Sequence, residues 1–227
     1  MAVDSRERVR AAAVKLFAGK GFHGTGIRDL AQAAKLSSAS LYHYMGTKEE
    51  LLAGIMRESL ERLLEAATLV SGGVADPRLR LGNLVALHVM THAVQPDETR
   101  VVDNEVHALS AVAKRTVVKL RDDYELLWAE AIDAGIAAGA FDTARPAVTR
   151  LALLEMCSGV ARWYSPRGPL TLDQLAAHFA ELAMRALGCA GIGGELDLER
   201  CRTVVSQVWK VKLRGTGGPG GAGPYPD

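Results

Sequence analysis

Between Thr25 and Lys48 the chain gathers side chains suited to a polyanion and to the edges of nucleobases. Ser37, Ser38, Ala39 and Ser40 set small and hydroxyl-bearing groups side by side, Tyr42, His43 and Tyr44 follow, and Arg28 and Lys48 flank them. Serine and alanine are small enough to approach a groove floor, where a hydroxyl meets a base edge and a methyl meets thymine, while His43 can donate to an acceptor edge or a phosphate. The hydroxyls of Tyr42 and Tyr44 suit phosphate oxygens, contacts that fix register without reading sequence. Thr25 and Lys48 stand at the N-termini of the helices flanking this face, where free backbone amides already favour an anion. Arg28 is the expected guanine contact, because a guanidinium matches the two acceptors on that base's major-groove edge.

Such a face needs a rigid frame, and the flanking apolar residues predict one. Val9, Ala12, Ala13, Leu16 and Phe17 recur at helical spacing, in a first helix opened near Asp4 or Ser5 and closed by Gly19 and Gly21. A second helix over 26–34 buries Ile27, Leu30, Ala31 and Ala34, and a third over 38–45 buries Leu41 and Met45. Thr47-Lys48-Glu49-Glu50 reads as a capping box, Thr47 capping the backbone and Glu50 reaching back. It opens a long fourth helix that runs to about residue 70. Two short helices with a tight turn, the second with an outward polar and aromatic face, make the helix-turn-helix pattern of a major-groove reader.

The rest of the chain is also helical in pattern. Gly72-Gly73 ends the fourth helix, and Asp76-Pro77 starts a fifth that carries Leu81, Leu84, Val85, His88 and Val89 to Gln95-Pro96. Residues 97–110 and 111–139 are predicted as two further helices, 146–164 as an eighth, and a ninth capped by Thr171 ends at Gly188. No alternating strand pattern competes before residue 190, so the predicted fold class is all-α: a three-helix DNA-binding head and a larger helical ligand-binding and dimerisation body. The expected boundaries are 1–47 for the head, 48–189 for the body and 190–227 for a partly disordered tail. Within the tail, Glu195–Arg214 fits a short helix, Val204–Leu213 equally fits a strand, and Gly215–Asp227 is Gly/Pro-rich.

Composition narrows the class. Of 227 residues 48% are apolar, enough for a sizeable core, and the net charge is only +1. Residues 1–50 nonetheless carry eight Lys/Arg against five Asp/Glu, a local basic head on a near-neutral body. Cys157, Cys189 and Cys201 form no CxxC pair and leave one over, which points to a reducing interior. No signal peptide and no membrane-length apolar run is visible, so the expected location is cytoplasmic, with no membrane partner.

The head resembles the TetR/AcrR family of bacterial repressors from about Arg6 through Leu52, most specifically over Leu41-Tyr42-His43-Tyr44-Met45-Gly46-Thr47-Lys48-Glu49-Glu50-Leu51. The resemblance implies DNA contacts at Arg28, Ser38, Ser40, Tyr42, His43, Tyr44 and Lys48. Lys35 stands where the family usually has glycine, and is expected at positive φ; Met45 replaces a usual phenylalanine. The resemblance also implies a homodimer joined by the last two helices of the body. Independently, Leu151, Leu153, Leu154, Met156 and Val160, with Leu175, Phe179, Leu182, Ala183 and Leu187, give those helices more apolar face than one core should need. A dimer would place two reading helices one helical turn of DNA apart, on a palindromic operator.

A narrower resemblance lies in Val160-Ala161-Arg162-Trp163-Tyr164-Ser165-Pro166-Arg167-Gly168-Pro169-Leu170-Thr171 and in Glu125-Leu126-Leu127-Trp128 with Gly135–Phe141. These stretches are similar to repressors of sterol, fatty-acid and phenylacetate breakdown, which implies a small hydrophobic inducer, an acyl-CoA thioester. Leu84, Leu87, His88, Thr91, Leu109, Tyr124, Trp128, Leu154, Cys157 and Ser158 are the expected acyl channel; Arg162 with Arg115, Lys119 and Arg121 are the expected phosphate partners. Each has a plainer alternative: Arg162, Trp163 and Tyr164 finishing a helix and packing its turn, and the 114–121 cations as a solvated face.

Two other functions stay open. Asp103, Glu105 and Asp122 suit a regulator of efflux that senses a cationic drug. His88 and His92, four residues apart on one helix face, with His107, would serve a metal-dependent hydrolase. Against the latter, there is no HExxH pair, nucleophile elbow, phosphate loop or paired carboxylates, so the reading assigns no catalytic residue, no metal and no cofactor.

Overall fold

In a computed structural model of the chain, the described residues are 5–213, and they are helical without a strand. The first compact unit holds residues up to Glu61 together with Asp97–Asp122, and the second holds Arg62–Pro96 with the remainder from Asp123. The division falls inside two long helices. The first unit therefore extends past the expected boundary at residue 47 and takes in a stretch from the middle of the sequence.

The first unit contains α1 (Ser5–Lys20), α2 (Ile27–Ala34), α3 (Ser38–Met45), the start of α4 (Lys48–Ser71), α6 (Pro96–Asn104), a single 3-10 turn at Val106–Ala108 and the start of α7 (Ala111–Ala137). Its core joins Val9, Ala13, Phe17, Leu30, Leu41 and Leu52 to Val101, Val102, Leu109 and Val117. The stretch 97–110, expected as one helix, is broken into α6 and the 3-10 turn. Thr47 and Glu50 form the predicted box: the Glu50 N–H donates to Thr47 Oγ1 at 3.1 Å, and the Thr47 N–H donates to Glu50 Oε2 at 2.8 Å.

The second unit is built around α5 (Pro77–Val94), on which Leu81 through Ala93 are all buried. Asp76 caps it, its Oδ1 accepting the Arg78 N–H at 2.9 Å, and Pro77 fills the first helical position. A helix apolar on every side must be enclosed on every side. The helices packed on it are α8 (Pro146–Ser158), α9 (Val160–Trp163), α10 (Leu172–Ala186) and α11 (Leu198–Val208). The expected single helix over 146–164 is interrupted at Gly159, which separates α8 from the short α9.

The described part of the segment expected to be a partly disordered tail belongs to this core. Residues 198–208 form a helix rather than a strand, Cys201, Val204, Val205 and Trp209 are buried, and the Arg202 guanidinium pairs with Asp173. Leu196 packs directly against Gly82 on α5, where a Cβ would stand 2.5 Å from Leu196 Cδ2. The 189–197 connection thus lies directly on α5. The Gly/Pro-rich stretch expected to be disordered, Gly215–Asp227, lies outside the described residues.

Candidate functional site

The reading face starts at the turn after α2. Lys35 occupies the left-handed region at φ 56° and ψ 47°, as its place in the turn predicted. The Leu36 N–H reaches back to Ala31 O at 2.9 Å and the Lys35 N–H to Gln32 O at 3.1 Å, which satisfies the last carbonyls of α2 and turns the chain into α3. Holding a non-glycine residue there costs on the order of 1 kcal/mol.

Ser37 then caps α3: its Oγ accepts the Ser40 N–H at 3.1 Å and lies 2.9 Å from Ser40 Oγ. Both hydroxyls therefore help to open the helix, in addition to being exposed. Leu41 and Met45 are buried beneath, so Ser38, Ala39, Ser40, Tyr42 and His43 face outward; Tyr42 is 53% exposed. Tyr44 is half-buried against the head core, with the His43 ring edge-on at 5.2 Å. Arg28 is exposed on α2.

Two of the expected contact residues have partners within the head. The Thr25 side chain is buried, and its hydroxyl donates to Gly21 O at 2.8 Å, closing the turn between α1 and α2. The Lys48 ammonium donates to Phe22 O and Thr25 O, both at 2.8 Å, and lies 4.2 Å from the centroid of the Phe22 ring. An ammonium has three donors, and two of them are used inside the head. The sequence could not separate a lysine beside a phosphate from one beside two carbonyls, because both lie at a helix N-terminus.

The expected inducer residues mostly converge in the second unit. His88 Nδ1 lies 2.8 Å from Tyr124 Oη and Nε2 lies 3.0 Å from Ser158 Oγ; the His92 ring stacks on His88 at 4.0 Å, and Trp128 meets His88 edge-on at 5.6 Å. Leu84, Thr91 and Cys157 are buried with this group, and Leu154 is half-buried. Burial, reinforced by the neighbouring His92, holds the His88 imidazole well below its ordinary pKa, so it is neutral with both nitrogens hydrogen-bonded. Trp128 Nε1 and Thr91 Oγ1 are buried without a hydrogen-bond partner. Burial also pushes the Cys157 thiol upward, so it is a packed thiol and not a nucleophile.

Leu109 does not belong with them: it is buried in the core of the first unit, near Val101 and Val117. Arg162 is exposed on the short α9. Arg115 and Lys119 are exposed in the first unit, where Arg121 lies 3.7 Å from Asp103. The four expected phosphate partners are therefore divided between the units.

The metal-hydrolase reading does not survive this geometry. Both His88 nitrogens face hydroxyls, His92 Nδ1 lies 2.9 Å from His88 O, and His107 belongs to the first unit. Among the described residues no three His, Cys, Asp or Glu side chains are grouped to hold a metal ion. No described helix is long and apolar enough to cross a membrane.

Comparison with known proteins agrees with the head and the body separately. Residues 9–55 match the family described as bacterial regulatory proteins, tetR family, and residues 74–187 match the tetracyclin repressor-like C-terminal domain. The HTH-type transcriptional repressor KstR2 of Rhodococcus jostii is 29% identical over 177 residues, 77% of this chain and 87% of the relative. A bacterial regulatory protein of the tetR family from Rhodococcus RHA1 superposes with a TM-score of 0.77 at 29% identity, covering 84% of this chain and 100% of the other. AibR, solved in complex with isovaleryl coenzyme A and operator DNA, has the same fold at a TM-score of 0.71 and 23% identity, covering 79% and 97%. The chain belongs to the tetR family of bacterial regulatory proteins, and is a helix-turn-helix transcriptional regulator rather than an enzyme.

Proposed function

We propose that the chain is a cytoplasmic, homodimeric repressor that binds a palindromic operator and is released by a small hydrophobic inducer, an acyl-CoA thioester. The observation that carries the DNA reading is the outward face of α3, where Ser38, Ala39, Ser40, Tyr42 and His43 are exposed on a helix capped at its start by Ser37 and followed at once by the Thr47 box. Arg28, exposed on α2, supplies the cation beside it.

Support for an inducer site is the buried polar group on α5. An apolar core gains nothing from an indole N–H and a threonine hydroxyl without partners, each of which costs about 1–3 kcal/mol when buried unsatisfied. A ligand with an acceptor oxygen would satisfy them. The AibR complex carries isovaleryl coenzyme A on this fold, which makes an acyl thioester the first ligand to test. A ligand preferring one of two head spacings by a few kcal/mol is sufficient to switch the protein.

For dimerisation, α8 supplies the excess apolar surface. Val148 and Leu151 are 59% and 50% exposed, whereas Leu175, Phe179, Ala183 and Leu187, expected at the interface, are buried in the core of their own subunit. Of the acidic residues that suited a cationic drug, Asp103 lies 3.7 Å from Arg121 and Glu105 accepts the Phe22 N–H.

The test is selection of a duplex from a random-sequence library by the purified protein, followed by a mobility shift titrated with medium- and long-chain acyl-CoA beside the free acids. Enrichment of an inverted repeat, bound by a dimer and released by the thioester alone, is the expected result. A selected duplex indifferent to every thioester would remove the acyl-CoA inducer and leave the regulator.

A further inference from the structure

Phe22 is held at both ends of its backbone. Its N–H donates to Glu105 Oε2 at 3.2 Å, its carbonyl accepts from Lys48 Nζ at 2.8 Å, and its ring packs on Phe17 at 5.5 Å beneath the same ammonium. It occupies the turn from α1 to α2, entered through Gly21 at φ 75° and closed by the Thr25 N–H on Phe22 O at 3.2 Å. Helix α2 starts at Ile27, so the orientation of this turn sets the direction of α2, and through the Lys35 turn that of α3.

Glu105 comes from the stretch of the middle of the chain that shares the first unit. Two other carboxylate links join that stretch to the head: Glu98 accepts from Arg10 at 2.8 Å, and Glu49 Oε1 accepts the Ser110 N–H at 2.8 Å. Those two hold α1 and the start of α4, which are long helices with buried faces of their own. Glu105 acts on the turn that has no helical hydrogen-bond ladder, and supplies the acceptor for its Phe22 N–H.

We propose that Glu105 is a positioning residue for DNA reading: by accepting the Phe22 N–H it fixes the α1–α2 turn, and with it the presentation of α2 and α3 to the groove. Its effect on DNA binding is entirely through Phe22.

The test compares E105A, E105M and E105Q in the full-length protein, on a duplex selected by the unaltered protein and on an unrelated duplex. E105M keeps the length and packing of the side chain without an acceptor, and E105Q keeps the acceptor without the charge. E105A and E105M should lose about tenfold or more in affinity for the selected duplex, as expected for a lost hydrogen bond to a charged group. Binding to the unrelated duplex should hold, and E105Q should recover most of the specific affinity. Hydrogen exchange at the Phe22 amide should be fast in E105A and E105M and slow in E105Q. Unchanged specific affinity in E105M, or E105Q as weak as E105M, would overturn the proposal. So would unchanged protection at Phe22, a readout that requires no DNA.

Discussion

The Lys48 ammonium donates to the Thr25 carbonyl at 2.8 Å, so a lysine that the sequence places for phosphate also ties the start of α4 to the turn before α2. The two roles predict different data. If the carbonyls are its main partners, Lys48→Met should destabilise the protein by about 1–3 kcal/mol, read from the denaturant midpoint, since hydrogen bonds to a charged group are lost. A phosphate contact would instead leave the midpoint in place and lower the salt slope of DNA binding by about one.

Tyr42 predicts the opposite pattern. At 53% exposure it contributes little to the core, so Tyr42→Ala should change stability by no more than about 0.5 kcal/mol. Affinity for the selected duplex should fall, and the drop should be similar on every duplex if the hydroxyl meets phosphate rather than a base. An unaltered mobility shift would remove Tyr42 from the reading face.

Much of the head was legible because its signals are local. The Thr47–Glu50 box and the Lys35 turn each depend on residues within a few positions of one another. Long-range partnerships were not. Leu109 and Val101 carry the same apolar signature whether they pack in the head or in the body, and nothing in their own sequence assigns them to the first unit. Thr25 reads as a helix-start residue, and only the fold shows its hydroxyl turned inward to Gly21. The helical period of Leu198, Cys201, Val204, Val205 and Val208 was visible, but Gly-rich flanks hid the fact that this helix closes a core.

His88 gives the protein a stability that depends on pH. Desolvation first, and then the neighbouring His92, lower its pKa in the folded state below the ordinary 6.5. The unfolded chain therefore binds a proton that the folded one refuses as pH falls through 6.5, and stability is lost in that direction. Between pH 7.5 and 5.5 the loss from this one group is on the order of 1 kcal/mol. His88→Gln should be less stable at pH 7.5 but lose that much less on acidification, measured by urea unfolding at the two pH values. Parallel losses in both proteins would show that His88 is not held neutral.

The last helix makes a prediction that separates a cover from a tail. Trp209 is 8% exposed just beyond α11, while Arg200 donates to Leu69 O at 2.6 Å and Arg202 pairs with Asp173, so α11 is tied to the end of α4 and the start of α10 within the second unit. Trp209→Ala removes a large buried side chain and should cost about 3–5 kcal/mol. Truncation before Leu198 should cost at least as much, since it also uncovers the part of α5 around Asn83, where Cys201 Sγ donates to Asn83 O at 3.7 Å. If residues 198–213 were a dispensable tail, the thermal midpoint would be the same with and without them, and the apolar side of α5 would need another cover.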